Sequence, residues 1–283
     1  MNPIPYARQL IDEDDIRAVV DVLRSDWLTT GPKVEEFELA VAEFAGARFG
    51  VAFSSGTAAL HGAMFALKVG PGDEVIVPSL TFAATANCVA FMGARPVFAD
   101  VVEDTLLIDP ADVERKITPR TRGIIAVDYA GHPCDYARLG DVARRHGLFL
   151  VADACHSLGA RYRGRPVGSL ADMTVFSFHP VKHITTGEGG MVVTDHEEWA
   201  RRLRMFRNHG ITRDPADFSP LTSDLRPPTS DHRPPTSDLR PQSSDHRPPS
   251  SVLRPPSSDS SWFYEMVELG FNYRLTDIQC ALG

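Results

Sequence analysis

The sequence predicts an α/β fold: one large domain with a mainly parallel sheet and helices on both faces. Three observations carry that prediction. Short apolar runs alternate with helical patterns from residue 50 onward, each run is apolar at nearly every position, and residues with turn chemistry separate the segments. A strand covered on one side alternates in polarity, whereas a continuous apolar run belongs to a parallel strand covered on both. At 283 residues, 43% hydrophobic and 23% charged, the chain is long enough to bury such a core.

In chain order, residues 49–53 form the first strand. It runs into Ser54-Ser-Gly-Thr57, small residues of the kind that cap helices, and then into the apolar helical pattern of 58–67. Residues 74–78 make a short strand followed by a helix over 83–92. Further strands are predicted at 96–99, 123–127 and 148–152, separated by helical stretches at 110–117 and 135–145. Residues 173–178 and 190–193 follow with only a turn between them, which implies an antiparallel member of the sheet. A last helix begins at Thr276.

The formal net charge of -8 gives no reason to expect nucleic acid or an anionic membrane as partner. Cys88, Cys134, Cys155 and Cys280 show no paired metal-ligand spacing and read as reduced thiols. His132 and Cys134 stand close together, but two ligands do not make a zinc site, so no metal is assigned. The glycine-rich turn of a dinucleotide site is absent after the first strand. The first residues lack a basic region followed by an apolar run, and no stretch is long enough to span a bilayer, so the cytoplasm is the expected location.

Chemistry concentrates in two segments. The run from Ser177 to Gly190 places Lys182 in a glycine-flanked turn just after an apolar strand, and Val151-Ala-Asp153-Ala-Cys-His156 places an acid at the end of another. A lysine held there can be desolvated and made nucleophilic, as a Schiff-base lysine must be. An aspartate on a neighbouring strand can keep a pyridinium nitrogen charged. Together they are equipment for pyridoxal phosphate (PLP) chemistry. Gly56 and Thr57 stand where a helix opens after a strand, and free N–H groups and the positive dipole end favour a phosphate there.

With these residues, the segments SSGTAALHGAM, PGDEVIVPSLTFAATAN, DACHSLGARY and FSFHPVKHITTGEGGMVVT make the chain resemble the DegT/DnrJ/EryC1/StrS sugar aminotransferases. Within that family it resembles most the branch that aminates a UDP-linked 4-keto-6-deoxy-N-acetylhexosamine for pseudaminic acid biosynthesis. The resemblance implies the fold type I large domain, PLP as cofactor, glutamate as amino donor and a homodimer with shared active sites. It assigns Lys182 to the covalent cofactor lysine and proton carrier, Asp153 to the ring nitrogen and His156 to the ring oxygen. Gly56, Thr57 and Ser177 fall to the phosphate and Phe82 to the ring face, while Asn272 would reach the phosphate of a neighbouring subunit. Tyr6, Asp26, Trp27, Leu28 and Thr29 match positions that border the nucleotide-sugar site. A dehydratase branch carries histidine in place of the lysine; here Lys182 is present, with His183 beside it.

Two features depart from the pattern. Arg226, Arg233, Arg240, Arg247 and Arg254 recur every seven residues in a proline-rich unit that forbids a continuing helix and is too polar for a core. The expected organisation is therefore an N-terminal segment and PLP-binding domain over 1–220, a disordered repeat insertion over 221–261, and a return to the large domain over 262–283. The second departure is the stop within the helix begun at Thr276, which leads us to expect no small C-terminal domain. Two alternatives to a working transaminase follow: a non-catalytic cofactor-binding fragment, favoured by the early stop, or the inert product of a disrupted gene, suggested by the repeat. Because loop closure entropy grows only logarithmically, an insertion of this kind costs about 2 kcal/mol. Excising 221–261 is expected to keep or raise the melting temperature, measured by thermal denaturation; a clear drop would contradict the reading of 221–261 as an insertion outside the core.

Overall fold

The computed structural model describes residues 4–5, 7–213 and 264–283. Tyr6 and the repeat over 221–261 lie outside the described residues. By compactness the chain divides into Met1–Gly210 with Glu268–Gly283, and Ile211–Val267. In the second unit the described residues form a two-residue antiparallel ladder, β10 (Ile211–Thr212) with β11 (Glu265–Met266).

The first unit is the α/β domain. Its strands are β1 (Phe49–Phe53), β2 (Glu74–Pro78), β3 (Arg95–Ala99), β4 (Thr121–Val127), β5 (Phe149–Asp153), β8 (Met173–Ser177) and β9 (Gly190–Thr194). They form one sheet in the order β1-β9-β8-β5-β4-β2-β3. Pairing is parallel from β8 across to β3, and β9 runs antiparallel between β8 and β1. A two-residue hairpin, β6 (Arg161–Tyr162) and β7 (Arg165–Pro166), lies apart from this sheet and has no counterpart among the expected elements.

The helices cover both faces, as continuous apolar strands require. On one side α3 (Gly56–Ala66), α4 (Ala83–Phe91) and α7 (Glu197–Phe206) share a core with Val75, Ile125 and Val151. On the other, α2 (Pro32–Ala45), α5 (Pro110–Lys116) and α6 (Tyr136–His146) share one with Ile76, Ile124 and Ala152. Ile124 and Ile125 therefore point to opposite cores, the period of two that a pleated strand imposes. Helices α1 (Glu13–Leu23), α2 and α7 were not among the expected elements. A capping box of Asp12 with Asp15 opens α1, and Pro32 opens α2 at a position where its missing N–H costs nothing.

Two buried acids tie distant segments to the domain. Asp277, the first residue of α8 (Asp277–Leu282), is 0% exposed and accepts from the N–H groups of Gly31 (2.8 Å) and Lys33 (3.0 Å) where α2 begins. Glu38 in α2 accepts from the N–H of Ala52 in β1 (2.9 Å) and pairs with Arg207, which also donates to the Ala52 carbonyl (2.7 Å). The N–H of Ser54 donates to the Tyr273 carbonyl at 2.8 Å. These bonds hold the edge strand β1 and so fix where α3 begins. Removing one partner leaves a buried guanidinium uncompensated. Glu38→Ala is expected to cost about 3 kcal/mol or more in chemical denaturation; a loss near zero would show that β1 does not depend on the clamp.

Candidate active site

Parallel sheets place their ligand sites at the carboxyl ends of the strands, and three such ends meet here. Asp153 closes β5 opposite Val127 of β4 and Val175 of β8, and Ser177 closes β8. The loops beyond these ends enclose a cavity of about 720 Å³. Gly56, Thr57, Phe82, Asp153, His156, Ser177 and Lys182 all line it, so the structure brings together seven residues that the sequence singled out separately.

The wall formed by α3 presents the start of a helix to the cavity. Of the N–H groups at the helix start, that of Ala58 is taken by the Ser55 hydroxyl (3.1 Å) and that of Ala59 by the Ser55 carbonyl (3.0 Å). Gly56 and Thr57 open the helix ahead of these, where N–H groups have no intrahelical acceptor, and both face the cavity. Two glycines permit this approach. A Cβ on Gly56 would lie 3.1 Å from Ser177 Cβ and 3.3 Å from its Oγ, and one on Gly190 would lie 2.5 Å from the Ser55 carbonyl oxygen. The helix start is thus seated against the ends of β8 and β9, with the Ser177 hydroxyl beside it.

Asp153 faces the same cavity and is only 6% exposed. Its Oδ2 accepts from the Thr85 hydroxyl at 2.7 Å, and Thr85 meets the Thr81 hydroxyl at 2.7 Å. Its Oδ1 has a longer contact, 3.4 Å, with the N–H of Cys155. Phe82, the residue ahead of α4, is 75% exposed along the cavity wall.

The turn carrying Lys182 is closed at its base by hydrogen bonds. Phe178 donates to the Gly189 carbonyl (2.9 Å), and its own carbonyl accepts from the Thr186 N–H (3.1 Å) and the Thr185 hydroxyl (2.9 Å). Gly187 takes φ 78°, a left-handed conformation natural to glycine. Within the loop the Lys182 N–H donates to the His179 carbonyl at 2.8 Å. Lys182 also lines a second cavity of about 410 Å³, which shares Tyr129, His156 and Val181 with the first and adds His183.

His156 sits among charges. Burial holds its imidazole below the ordinary range, the Lys182 ammonium pushes the same way, and the Asp153 carboxylate opposes. Burial also pushes the Cys155 thiol well up, with the Asp153 charge adding to the effect. The segments after β4 and β5 are held together by Asp128, which is 0% exposed and accepts from the Cys134 N–H (2.9 Å), the Tyr136 hydroxyl (2.8 Å) and the Ser157 hydroxyl (2.7 Å). Burial raises its carboxyl above the usual range while these hydrogen bonds oppose the rise.

Some expected residues lie elsewhere. Asp26, Trp27, Leu28 and Thr29 are exposed and outside the lining of this cavity, because the segment is held at the start of α8. The Asp277 N–H donates to the Leu28 carbonyl (3.2 Å), and Thr29 forms a bridge with Thr276. Asn272 is likewise exposed and outside it, paired with Asn208 in a short antiparallel bridge. Conversely, Thr81, Tyr129 and Glu188 line the cavity without having been singled out. Tyr129 follows the strand end at Val127 in the run Asp-Tyr-Ala-Gly, whose turn chemistry was the available signal. Among the described residues no group of His, Cys, Asp and Glu is arranged to hold a metal ion, and no helix is long and apolar enough to cross a membrane.

A profile of the DegT/DnrJ/EryC1/StrS aminotransferase family matches residues 9–226. The chain is 39% identical over 280 residues to the spore coat polysaccharide biosynthesis protein SpsC of Bacillus subtilis, covering 99% of this chain and 62% of SpsC. Among solved structures it resembles Spr1654 of Streptococcus pneumoniae, named as a candidate sugar aminotransferase and solved in a PMP form. There the TM-score is 0.81 and the identity 33%, over 99% of this chain and 66% of that one. Helicobacter pylori PseC, an aminotransferase involved in the biosynthesis of pseudoaminic acid, gives a TM-score of 0.79 at 30% identity, over 98% and 63%. The chain thus spans less than two thirds of each of these relatives. Its architecture is that of the fold type I large domain.

The field at His156 offers a direct check on the geometry. Replacing Lys182 with Met is expected to raise the His156 titration point toward the ordinary imidazole value, and Asp153→Asn to lower it further, as followed by NMR. No movement in either variant would mean that the three groups do not share one cavity.

Proposed function

The chain belongs to the DegT/DnrJ/EryC1/StrS aminotransferase family, and from that premise we propose that it transfers an amino group from glutamate to a nucleotide-linked keto sugar, using PLP. One observation carries the reading: Lys182, Asp153 and the N–H groups of Gly56 and Thr57 border one cavity. The residues fit the cofactor part by part. A phosphate suits the α3 start, where a Cβ on Gly56 would crowd Ser177 and where two N–H groups have no acceptor within the helix. A cationic ring nitrogen suits the nearly buried carboxylate of Asp153, and a planar ring suits the exposed face of Phe82.

PLP, when bound, supplies an aldehyde that bonds amines and a ring that takes up electrons from the neighbouring carbon. The chain's own residues do the rest. Gly56, Thr57 and Ser177 would hold the phosphate by its oxygens. The Asp153 carboxylate would hold a proton at the ring nitrogen. The Lys182 amine would bond the aldehyde and, once displaced by the incoming amine, take a proton from the substrate carbon and return it to the cofactor carbon. Phe82, Leu80 and Val127, apolar side chains among those lining the cavity, would help exclude water from that transfer.

For the sugar, the narrower reading is a UDP-linked 4-keto-6-deoxy-N-acetylhexosamine on the way to pseudaminic acid. PseC supports it, but at 30% identity PseC is no nearer than Spr1654 at 33%. The nucleotide-linked keto sugar is therefore the substrate class we propose, with the UDP sugar as its first candidate. A homodimer belongs to the same reading: Asn272 is exposed and away from its own chain's cavity, as a residue serving a second copy's site must be.

Borohydride reduction of the PLP-loaded chain, followed by peptide mass mapping, is expected to label Lys182; label on another lysine would remove the assignment. With glutamate and the UDP-linked 4-keto sugar, the chain is expected to form 2-oxoglutarate and an amino sugar. Lys182→Ala should lower turnover at least ~100-fold, and Asp153→Asn should slow it with less effect on KM. Cofactor binding without any amino sugar from several nucleotide-linked keto sugars would favour a non-catalytic cofactor-binding protein.

A further inference from the structure

Given the cofactor reading above, we infer that Thr85 is a positioning residue for Asp153: its hydroxyl compensates the carboxylate from below and so leaves the other oxygen for the cavity. Thr85 is 0% exposed and Asp153 6%. The two are 68 residues apart in sequence and 2.7 Å apart at Thr85 Oγ1 and Asp153 Oδ2.

Proton counting gives the bond its direction. An ionised carboxylate only accepts, so the single hydroxyl proton of Thr85 goes to Asp153. The 2.7 Å contact between Thr81 and Thr85 must then be a donation from Thr81, whose approach to the Phe82 carbonyl is longer at 3.3 Å. The polar chain runs one way, from Thr81 on the cavity wall through Thr85 to Asp153, and each donation strengthens the next. The neighbouring Cys88 cannot take over this task. Its thiol donates to the Thr85 carbonyl (3.2 Å), and burial together with the Asp153 charge pushes it well above its ordinary range.

The other carboxylate oxygen is differently placed. Oδ1 has a long contact, 3.4 Å, with the Cys155 N–H, and the neighbouring Cys155 thiol, which also interacts with this carboxylate, is a weak donor, which leaves acceptor capacity for a cationic donor in the cavity. A carboxylate with one oxygen held by a short charge-assisted bond does not turn about its terminal torsion, so the free oxygen stays directed. Threonine also fills the space with a methyl group, which makes valine a near-isosteric probe that removes the donor.

The test compares the apo full chain for affinity toward PLP and toward its deaza isostere, in which a CH replaces the ring nitrogen. Wild type is expected to prefer PLP. Thr85→Val should cut that preference about tenfold while leaving the affinity for the isostere unchanged, and Thr85→Ser should restore it. If Thr85→Val does not fold, Thr81→Val on the cavity wall should cut the preference in the same direction by about threefold. Equal loss for both ligands, or an unchanged preference in folded Thr85→Val, overturns the inference and leaves the cofactor reading standing. Failure of the wild-type chain to bind PLP, or to prefer it over the isostere, overturns both.

Discussion

A carboxylate buried at the carboxyl end of β5 sets the terms for the architecture around it. Asp153 is 6% exposed, and a charge in that position requires donors from the protein. Parallel pairing places the ends of β4, β5 and β8 side by side, so the loops from all three turn over the same space. Thr85 comes from the helix after β2 and Lys182 from the turn between β8 and β9. Gly56 and Thr57 open the helix after β1, which the antiparallel β9 brings next to β8. Four segments far apart in sequence thus meet because the strand order puts their ends together.

Hydrogen bonds and close backbone contacts tie the segments around the cavity together. Close approach at Gly56 and Gly190 seats the start of α3 against the ends of β8 and β9. The Glu38 and Arg207 clamp holds β1 from the other side of the sheet edge. Asp128 joins the turn after β4 to the turn after β5, and so fixes Tyr129 and His156 relative to each other. Gly131 packs so closely on this contact that a Cβ there would lie 2.8 Å from the His156 carbonyl oxygen. The result is one cavity lined by the start of α3, by the Asp153 carboxyl and by Lys182 on a hydrogen-bonded turn.

Much of this was legible in the sequence, and the reasons differ by element. The strands could be read because they are apolar at nearly every position, and Lys182, Asp153, Gly56 and Thr57 because each stands at or shortly after a strand end with turn or cap chemistry beside it. Helix α2 could have been found, since Val34, Phe37, Val41 and Ala45 recur along one buried face behind Pro32. Thr85 could not: within an apolar helix its hydroxyl looks incidental, and nothing local ties it to an acid 68 residues away. The segment from Asp26 to Thr29 matched a substrate-bordering pattern, but its position depends on Asp277 at the other end of the chain, a tertiary fact with no local signature.

The central claim is that one cavity holds PLP by its phosphate at the start of α3 and by its ring nitrogen at Asp153. A crystal structure of the chain grown with PLP tests it most directly. The account predicts phosphate oxygens within ~3 Å of the Gly56 and Thr57 N–H groups, the ring nitrogen at a similar distance from Asp153 Oδ1, and density joining the cofactor to Lys182 Nζ. A cofactor bound elsewhere, or one in this cavity with its phosphate turned away from α3, would contradict it.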